Sequence, residues 1–135
     1  YRIVYMDKMV NFLKITFHIS ILFLIIVSLF PGSLFGFLLY NDLGKQPNLI
    51  DNPFGTSINH FLYYFYVSTL GLFLYLKDNN FQKLFYSLFL LSIVLEILQF
   101  IVPGRSFEIY DVIGNVIGVL IAYLLVVIYK SWKKL

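Results

Sequence analysis

The sequence predicts an all-α membrane protein. It reads as a four-transmembrane-helix bundle with both termini in the cytoplasm (N-in/C-in) and a short interfacial helix or re-entrant segment after the first span. Three observations carry this expectation. Hydrophobic residues make up 60% of the chain and charged residues 13%, against roughly 45–50% and about 25% in an average soluble domain. Mean hydropathy is +0.84. The apolar residues also gather into four long runs separated by polar breaks. At 135 residues the chain is long enough for one compact domain, residues 1–135, and too short for two.

The first run covers about 12–30 and stops at Pro31-Gly32, a dipeptide that ends helices. A cleaved signal peptide is the competing reading, and the missing small-x-small cleavage site argues against it. The second run covers about 58–76 and ends at Lys77-Asp78-Asn79-Asn80. The third covers about 81–102 and ends at Pro103-Gly104, and the fourth covers about 107–129 and ends in a Lys-rich tail. Each approaches or exceeds the ~20 residues a helix needs to cross a ~30 Å hydrocarbon core. Between the first two runs, Ser33 to Tyr40 is too apolar for a free loop and too short to span, so an interfacial segment is expected there. Asn41 to Thr56, rich in Asn, Asp, Gly and Pro, reads as an exposed, turn-rich connection. The chain opens at Tyr1 and its first Met is Met6, as expected of a fragment or of added leading residues.

Orientation follows from Lys and Arg. With four spans, Arg2, Lys8, Lys14, Lys77, Lys83, Lys130, Lys133 and Lys134 share one side, and only Lys45 and Arg105 lie on the other. The positive-inside rule places the first group in the cytoplasm. The Pro103-Gly104-Arg105 loop then faces outward. Basic residues in this pattern serve topology, so nucleic-acid binding has no support. The absence of cysteine excludes disulfides and thiol chemistry.

Against this apolar background one stretch stands out: Glu96-x-x-Gln99-x-x-x-Pro103-Gly104-Arg105, followed by Asp111, Asn115 and Gly118. Ionisable groups at membrane depth cost several kcal/mol unless paired or hydrated, and so mark functional sites. Glu96 and Gln99 share a helix face with Ser92, and Asp111 and Asn115 share one with Gly118 and Ala122. At a rise of 1.5 Å per residue Glu96 lies roughly 10 Å below Pro103, and Asp111 roughly 6–8 Å below the loop. His60, in the first turn of the second run, falls at a similar depth on the face of Tyr64, Ser68, Gly71 and Tyr75. Three helices and a loop are thus expected to aim His60, Glu96, Gln99, Arg105, Asp111 and Asn115 at one zone. Arg105 would reach toward either carboxylate.

Each residue also has a plainer reading. Gly114, Gly118 and Ala122 permit close helix packing, within a chain or between chains. Asn115 and Gln99 can serve as interhelical hydrogen-bonding groups, and Arg105 with Asp111 as an ion pair closing the hairpin. Glu108 reads as a solvated interfacial or helix-start charge, His18 as structural, and Tyr63 to Tyr66 as aromatic packing from which a hydroxyl can enter the site. Glu96 is the hardest to explain without function, because a carboxylate so deep must be paired, hydrated or protonated.

The run Asn59-His60-Phe61-Leu62-Tyr63-Tyr64, the Glu96-x-x-Gln99…Pro103-Gly104-Arg105…Asp111…Asn115-x-x-Gly118 pattern and the four-span layout resemble the VanZ-like family. These are small bacterial membrane proteins named for a member associated with low-level teicoplanin resistance. The resemblance covers most of spans two to four. It carries the family's polar residues onto His60, Glu96, Gln99, Arg105, Asp111 and Asn115, and implies a bacterial cytoplasmic (plasma) membrane setting and a role in the cell envelope. One departure is Thr56-Ser57, where relatives often carry Asp-Lys.

Two functions fit these residues. As an enzyme on an anionic lipid-linked or envelope substrate, the protein would use His60, Glu96 and Asp111 for proton transfer and orientation, with Arg105, Gln99 and Asn115 as binding groups. As a binding, translocating or structural accessory protein, it would use Arg105 and the amides for recognition. Membrane lipids are the expected partners. No cofactor is expected. His60, Glu96 and Asp111 are metal-ligand types, but they lack a local metal motif, so no metal is expected either.

Overall fold

The computed structural model describes residues 2–47, 50, 53 and 55–134, with side chains from Asp7 onward. All secondary structure among them is helical: α1 (Arg2–Leu29), α2 (Leu34–Tyr40), α3 (Ser57–Leu74), α4 (Phe81–Gln99) and α5 (Ile109–Trp132). The expected elements are therefore present with shifted ends. Of the connection expected between Asn41 and Thr56, residues 48, 49, 51, 52 and 54 lie outside the described residues.

Three helices are long and apolar enough to cross a membrane: Asp7–Leu29, Phe81–Gln99 and Ile109–Trp132. The second expected span, α3, is 18 residues long and falls short of that measure. Its place explains its composition. α3 packs on α1, α4 and α5, and most extensively on α5, so its Ser57, Tyr64 and Ser68 are buried against protein. Chain-wide apolarity is needed where a helix meets lipid, and less where it meets other helices.

Small residues set how closely α3 and α5 approach. A Cβ added to Gly114 would stand 2.7 Å from the Ser57 carbonyl oxygen, and one on Gly118 2.7 Å from that of Phe61. The small-residue stripe of α5 therefore packs within the chain, one of the two options its sequence left open. Below this contact the bundle core is apolar, with Val67, Leu72, Val119, Ala122 and Val126 fully buried.

The α1 and α4 ends meet at the opposite terminus of the bundle from Leu76 and Phe81. Gly32, at φ +75°, turns the chain after α1 and its N–H donates to the Pro103 carbonyl at 3.2 Å. Gly104 packs against the Gly32 backbone at 3.2 Å, measured from an ideal Cβ. A side chain at either position would strain a left-handed turn and wedge the loops apart. α4 was expected to reach Val102. Instead it tightens after Gln99 into successive i→i−3 hydrogen bonds through Phe100, Ile101 and Val102, the common way to end a helix ahead of proline. α2 is capped by the Ser33 hydroxyl, which accepts from the Gly36 N–H at 2.9 Å. It leaves Phe35, Phe37, Leu38 and Leu39 exposed, the face expected of an interfacial helix.

Candidate functional site

α3 starts and α5 starts side by side, and α4 ends beside them. That arrangement gathers the predicted residues. Glu96 is fully buried, and Asp111, Asn115 and Gln99 are nearly so, whereas His60 keeps 18% of its side chain exposed. His60 Nε2 lies 3.3 Å from Asp111 Oδ2, Nδ1 lies 3.2 Å from Asn115 Oδ1 and 3.9 Å from Glu96 Oε2.

The hydrogen bonds around His60 place a proton on Nδ1. Asn115 Nδ2 donates to the Ser92 carbonyl at 3.2 Å, which points Oδ1 at the ring. An amide oxygen only accepts, so His60 Nδ1 carries the proton and donates. Nε2 is left to face Asp111. The second Asp111 oxygen, Oδ1, accepts from the Ser57 hydroxyl. Glu96 Oε1 accepts from the Glu108 backbone N–H at 3.4 Å, while Oε2 is buried with no hydrogen-bond partner.

Arg105 belongs to the same end of the bundle but acts differently from expectation. It was expected to reach a carboxylate. Its Nε instead donates to the Phe30 carbonyl at 3.3 Å and a terminal nitrogen to the Val27 carbonyl at 2.7 Å. Among the described residues it forms no ion pair with Glu96 or Asp111. The physical reason is the C-terminus of α1, which offers unsatisfied carbonyls and a negative dipole end beside the loop. Burial lowers the guanidinium's pKa from its ordinary value, opposed by the charges of Glu96 and Asp111, and it stays cationic.

A cavity of about 400 Å³ opens between α1, α2 and α3. Phe23, Leu24, Val27, Leu34 and Leu39 give it apolar walls, while His60, Gln99 and Arg105 line it with polar groups. His60 alone of the close cluster with Glu96, Asp111 and Asn115 borders it. The other three stand behind the ring. Tyr63 and Tyr64 also line the cavity, and the buried Tyr64 hydroxyl donates to the Leu91 carbonyl at 3.4 Å.

The remaining polar residues fall away from the site. His18 Nδ1 pairs with the Lys14 carbonyl at 2.7 Å within α1. The Glu108 side chain accepts from Ser106 on the exposed loop, while its backbone serves Glu96. Ser57 carries a role its sequence did not announce, as the hydroxyl that orients Asp111. The available signal was positional: Ser57 precedes His60 by three residues, one turn along the same face.

No curated protein and no solved structure matches the chain closely enough to lend it a substrate or a tested mechanism. A family model does match: VanZ/LLP1, over residues 5–130. That match spans all of α2 to α4, the Arg105 loop and every residue of the His60 cluster, and on it the chain belongs to the VanZ/LLP1 family.

Proposed function

We propose that the protein spans a bacterial plasma membrane four times, with both termini cytoplasmic. Its outward-facing cavity takes the anionic headgroup and adjoining chain of a lipid-linked envelope molecule. α3 is the second of the four spans. Its 18 residues extend about 27 Å at 1.5 Å per residue, close to a ~30 Å hydrocarbon core. It lies among three helices that are each apolar enough to cross. The excess of Lys and Arg on the terminal side orients the bundle.

The observation that carries the reading is the cavity's division. Apolar walls from α1 and α2 meet a polar end at His60, Gln99 and Arg105, as an amphiphile requires. Arg105 has five N–H donors, and two are used on α1 carbonyls. The rest are free to grip a phosphate or carboxylate in a bidentate fashion. His60, backed by Asp111 and Asn115, stands where the headgroup would lie and supplies a proton-transfer group. On this reading the headgroup is bound beside a side chain able to move a proton. A link to glycopeptide tolerance follows if the ligand is a cell-wall precursor.

The test uses the full chain in detergent, with binding of anionic and zwitterionic lipids of equal chain length followed by native mass spectrometry. Anionic lipid should bind preferentially, and Arg105→Lys should lose about tenfold or more in affinity, since a point charge cannot reproduce the fork. A second reading, binding without chemistry, is favoured by the engagement of both His60 nitrogens with Asn115 and Asp111. It predicts that His60→Gln binds as wild type does and that no product forms. Equal binding of both lipid classes, unchanged in Arg105→Lys, would refute either form.

A further inference from the structure

We propose that His60 Nε2, Asp111 Oδ2 and Glu96 Oε2 together hold a divalent transition-metal ion of the Zn²⁺ or Mn²⁺ type. The assignment is independent of what occupies the neighbouring cavity. It rests on what the second polar atom of each residue does. His60 Nδ1 is engaged by Asn115, Asp111 Oδ1 by Ser57 and Glu96 Oε1 by the Glu108 N–H. In each case the bound atom fixes the side chain and leaves the other for a ligand, with Glu96 Oε2 3.9 Å from the edge of the His60 ring at Nδ1.

The three side chains converge. One ligand atom from each of the three residues lies within 4.8 Å of the others. The His60 Nε2 to Asp111 Oδ2 separation is 3.3 Å, and two atoms each ~2.1 Å from one ion sit about 3.0–3.4 Å apart at octahedral or tetrahedral angles. Glu96 Oε2 is the independent sign that something is expected there. It is buried, its residue is 0% exposed, and it has no hydrogen-bond partner. An orphaned carboxylate oxygen in a low-dielectric interior is costly unless a cation meets it. No Lys or Arg does so among the described residues, since Arg105 is turned to the α1 carbonyls.

The shell behind the ligands is of the kind metal sites need. A ligating histidine nearly always donates its other N–H to a carbonyl or carboxylate, which fixes the tautomer that presents a lone pair to the metal. Asn115 does this for His60, and is itself set by Ser92. One imidazole with two carboxylates suits borderline divalent ions better than Ca²⁺ or Mg²⁺, which take oxygen ligands alone. His60, at the cavity's edge, gives the ion a way in, and three protein ligands leave further positions open to water or a bound molecule.

The experiment is metal uptake by the full chain in detergent, stripped with chelator and then titrated separately with Zn²⁺, Mn²⁺ and Co²⁺. Bound metal is counted by mass spectrometry after gel filtration, and folding is checked by helical circular dichroism. One ion per folded chain is expected, with a Co²⁺ visible spectrum showing nitrogen ligation. Glu96→Gln and Asp111→Asn preserve shape and should abolish uptake. Asn115→Ala should keep the site but weaken it roughly 10–100-fold and shift the Co²⁺ bands. Three results would overturn the proposal. One is a folded wild-type chain that takes up none of the three ions, which would mean shared protons neutralise the cluster. Another is uptake unchanged in Glu96→Gln and Asp111→Asn. The third is an Asn115→Ala chain as tight and spectrally identical to wild type.

Discussion

Gly114→Ala would test whether the α3–α5 approach is what assembles the site. The added Cβ would stand 2.7 Å from the Ser57 carbonyl oxygen and 3.5 Å from the Phe61 nitrogen. The nearer partner is helix backbone, which cannot swing aside as a side chain can. Bringing that 2.7 Å contact to an ordinary C···O separation of about 3.4 Å means moving the helices apart by about 0.7 Å. The same displacement carries the 3.3 Å His60–Asp111 approach to about 4.0 Å and loosens the contact that sets the ring against the carboxylate. Overpacking of this kind typically destabilises by ~1–3 kcal/mol, or roughly five- to 150-fold in the folding equilibrium. The assay is unfolding of the purified chain in detergent against a denaturant series, run beside lipid or metal affinity. Gly44→Ala is the comparator, because its Cβ meets only the Asp42 carboxylate oxygen, at 3.3 Å, in an exposed loop. Gly114→Ala should lose both stability and site affinity, and Gly44→Ala neither. A Gly114→Ala chain that unfolds with wild type and binds as wild type does would refute the argument that backbone proximity positions His60 against Asp111.

Two further substitutions separate the hydrogen bonds that matter from those that do not. Ser57→Ala removes the hydroxyl donor to Asp111 Oδ1 and leaves a buried carboxylate oxygen without that partner, which should destabilise by about 1–3 kcal/mol. The same unfolding series measures it, and a loss under the resolution of that series would show that water replaces the hydroxyl. Tyr64→Phe deletes a 3.4 Å bond to the Leu91 carbonyl, near the limit of useful geometry, so a change under about 1 kcal/mol is expected. A larger loss would mean that the Tyr64 hydroxyl has a partner in the cavity.

The helices and the clustering of the candidate residues were legible because both rest on local rules. Apolar run length sets a span, Pro31-Gly32 and Pro103-Gly104 end helices, and i, i+3 and i, i+4 spacing pairs Glu96 with Gln99 and Asp111 with Asn115. What stayed hidden depends on contacts between segments far apart in sequence. Arg105 chose the Val27 and Phe30 carbonyls, 78 and 75 residues away, because the end of α1 happens to pack beside its loop. Charge complementarity alone pointed to the carboxylates. Ser57 was hidden for a related reason: a serine at a helix start reads as a cap, and its pairing with a residue 54 positions on follows only from the α3–α5 packing. The place of α3 against α1, α4 and α5 was likewise not visible in its apolar run.

The placement of charge at this end of the bundle follows helix ends more than ion pairs. Asp111 lies in the first turn of α5, where unsatisfied N–H groups and the positive dipole end favour an anion. Glu96 sits near the C-terminus of its own helix, an unfavourable place for a carboxylate, yet its Oε1 is held by the N–H of Glu108, the residue that caps α5. Both carboxylates therefore draw on one helix N-terminus. Arg105 answers the opposite end, the carbonyls of α1. Arg105 and one oxygen of Glu96 are met by backbone and one oxygen of Asp111 by the Ser57 hydroxyl, so the cation and the anions need not pair with one another. That is why Arg105 can stand beside two buried carboxylates and still keep donors free toward the cavity. It is also why the carboxylate pair retains one unsatisfied oxygen, Glu96 Oε2, facing His60. A helix end supplies partial charge, about half an elementary charge, and two carboxylates exceed it. The remainder comes from a proton, from His60 or from an ion bound with it, and Glu96→Gln, which removes one full charge and keeps the shape, takes away that demand in every case.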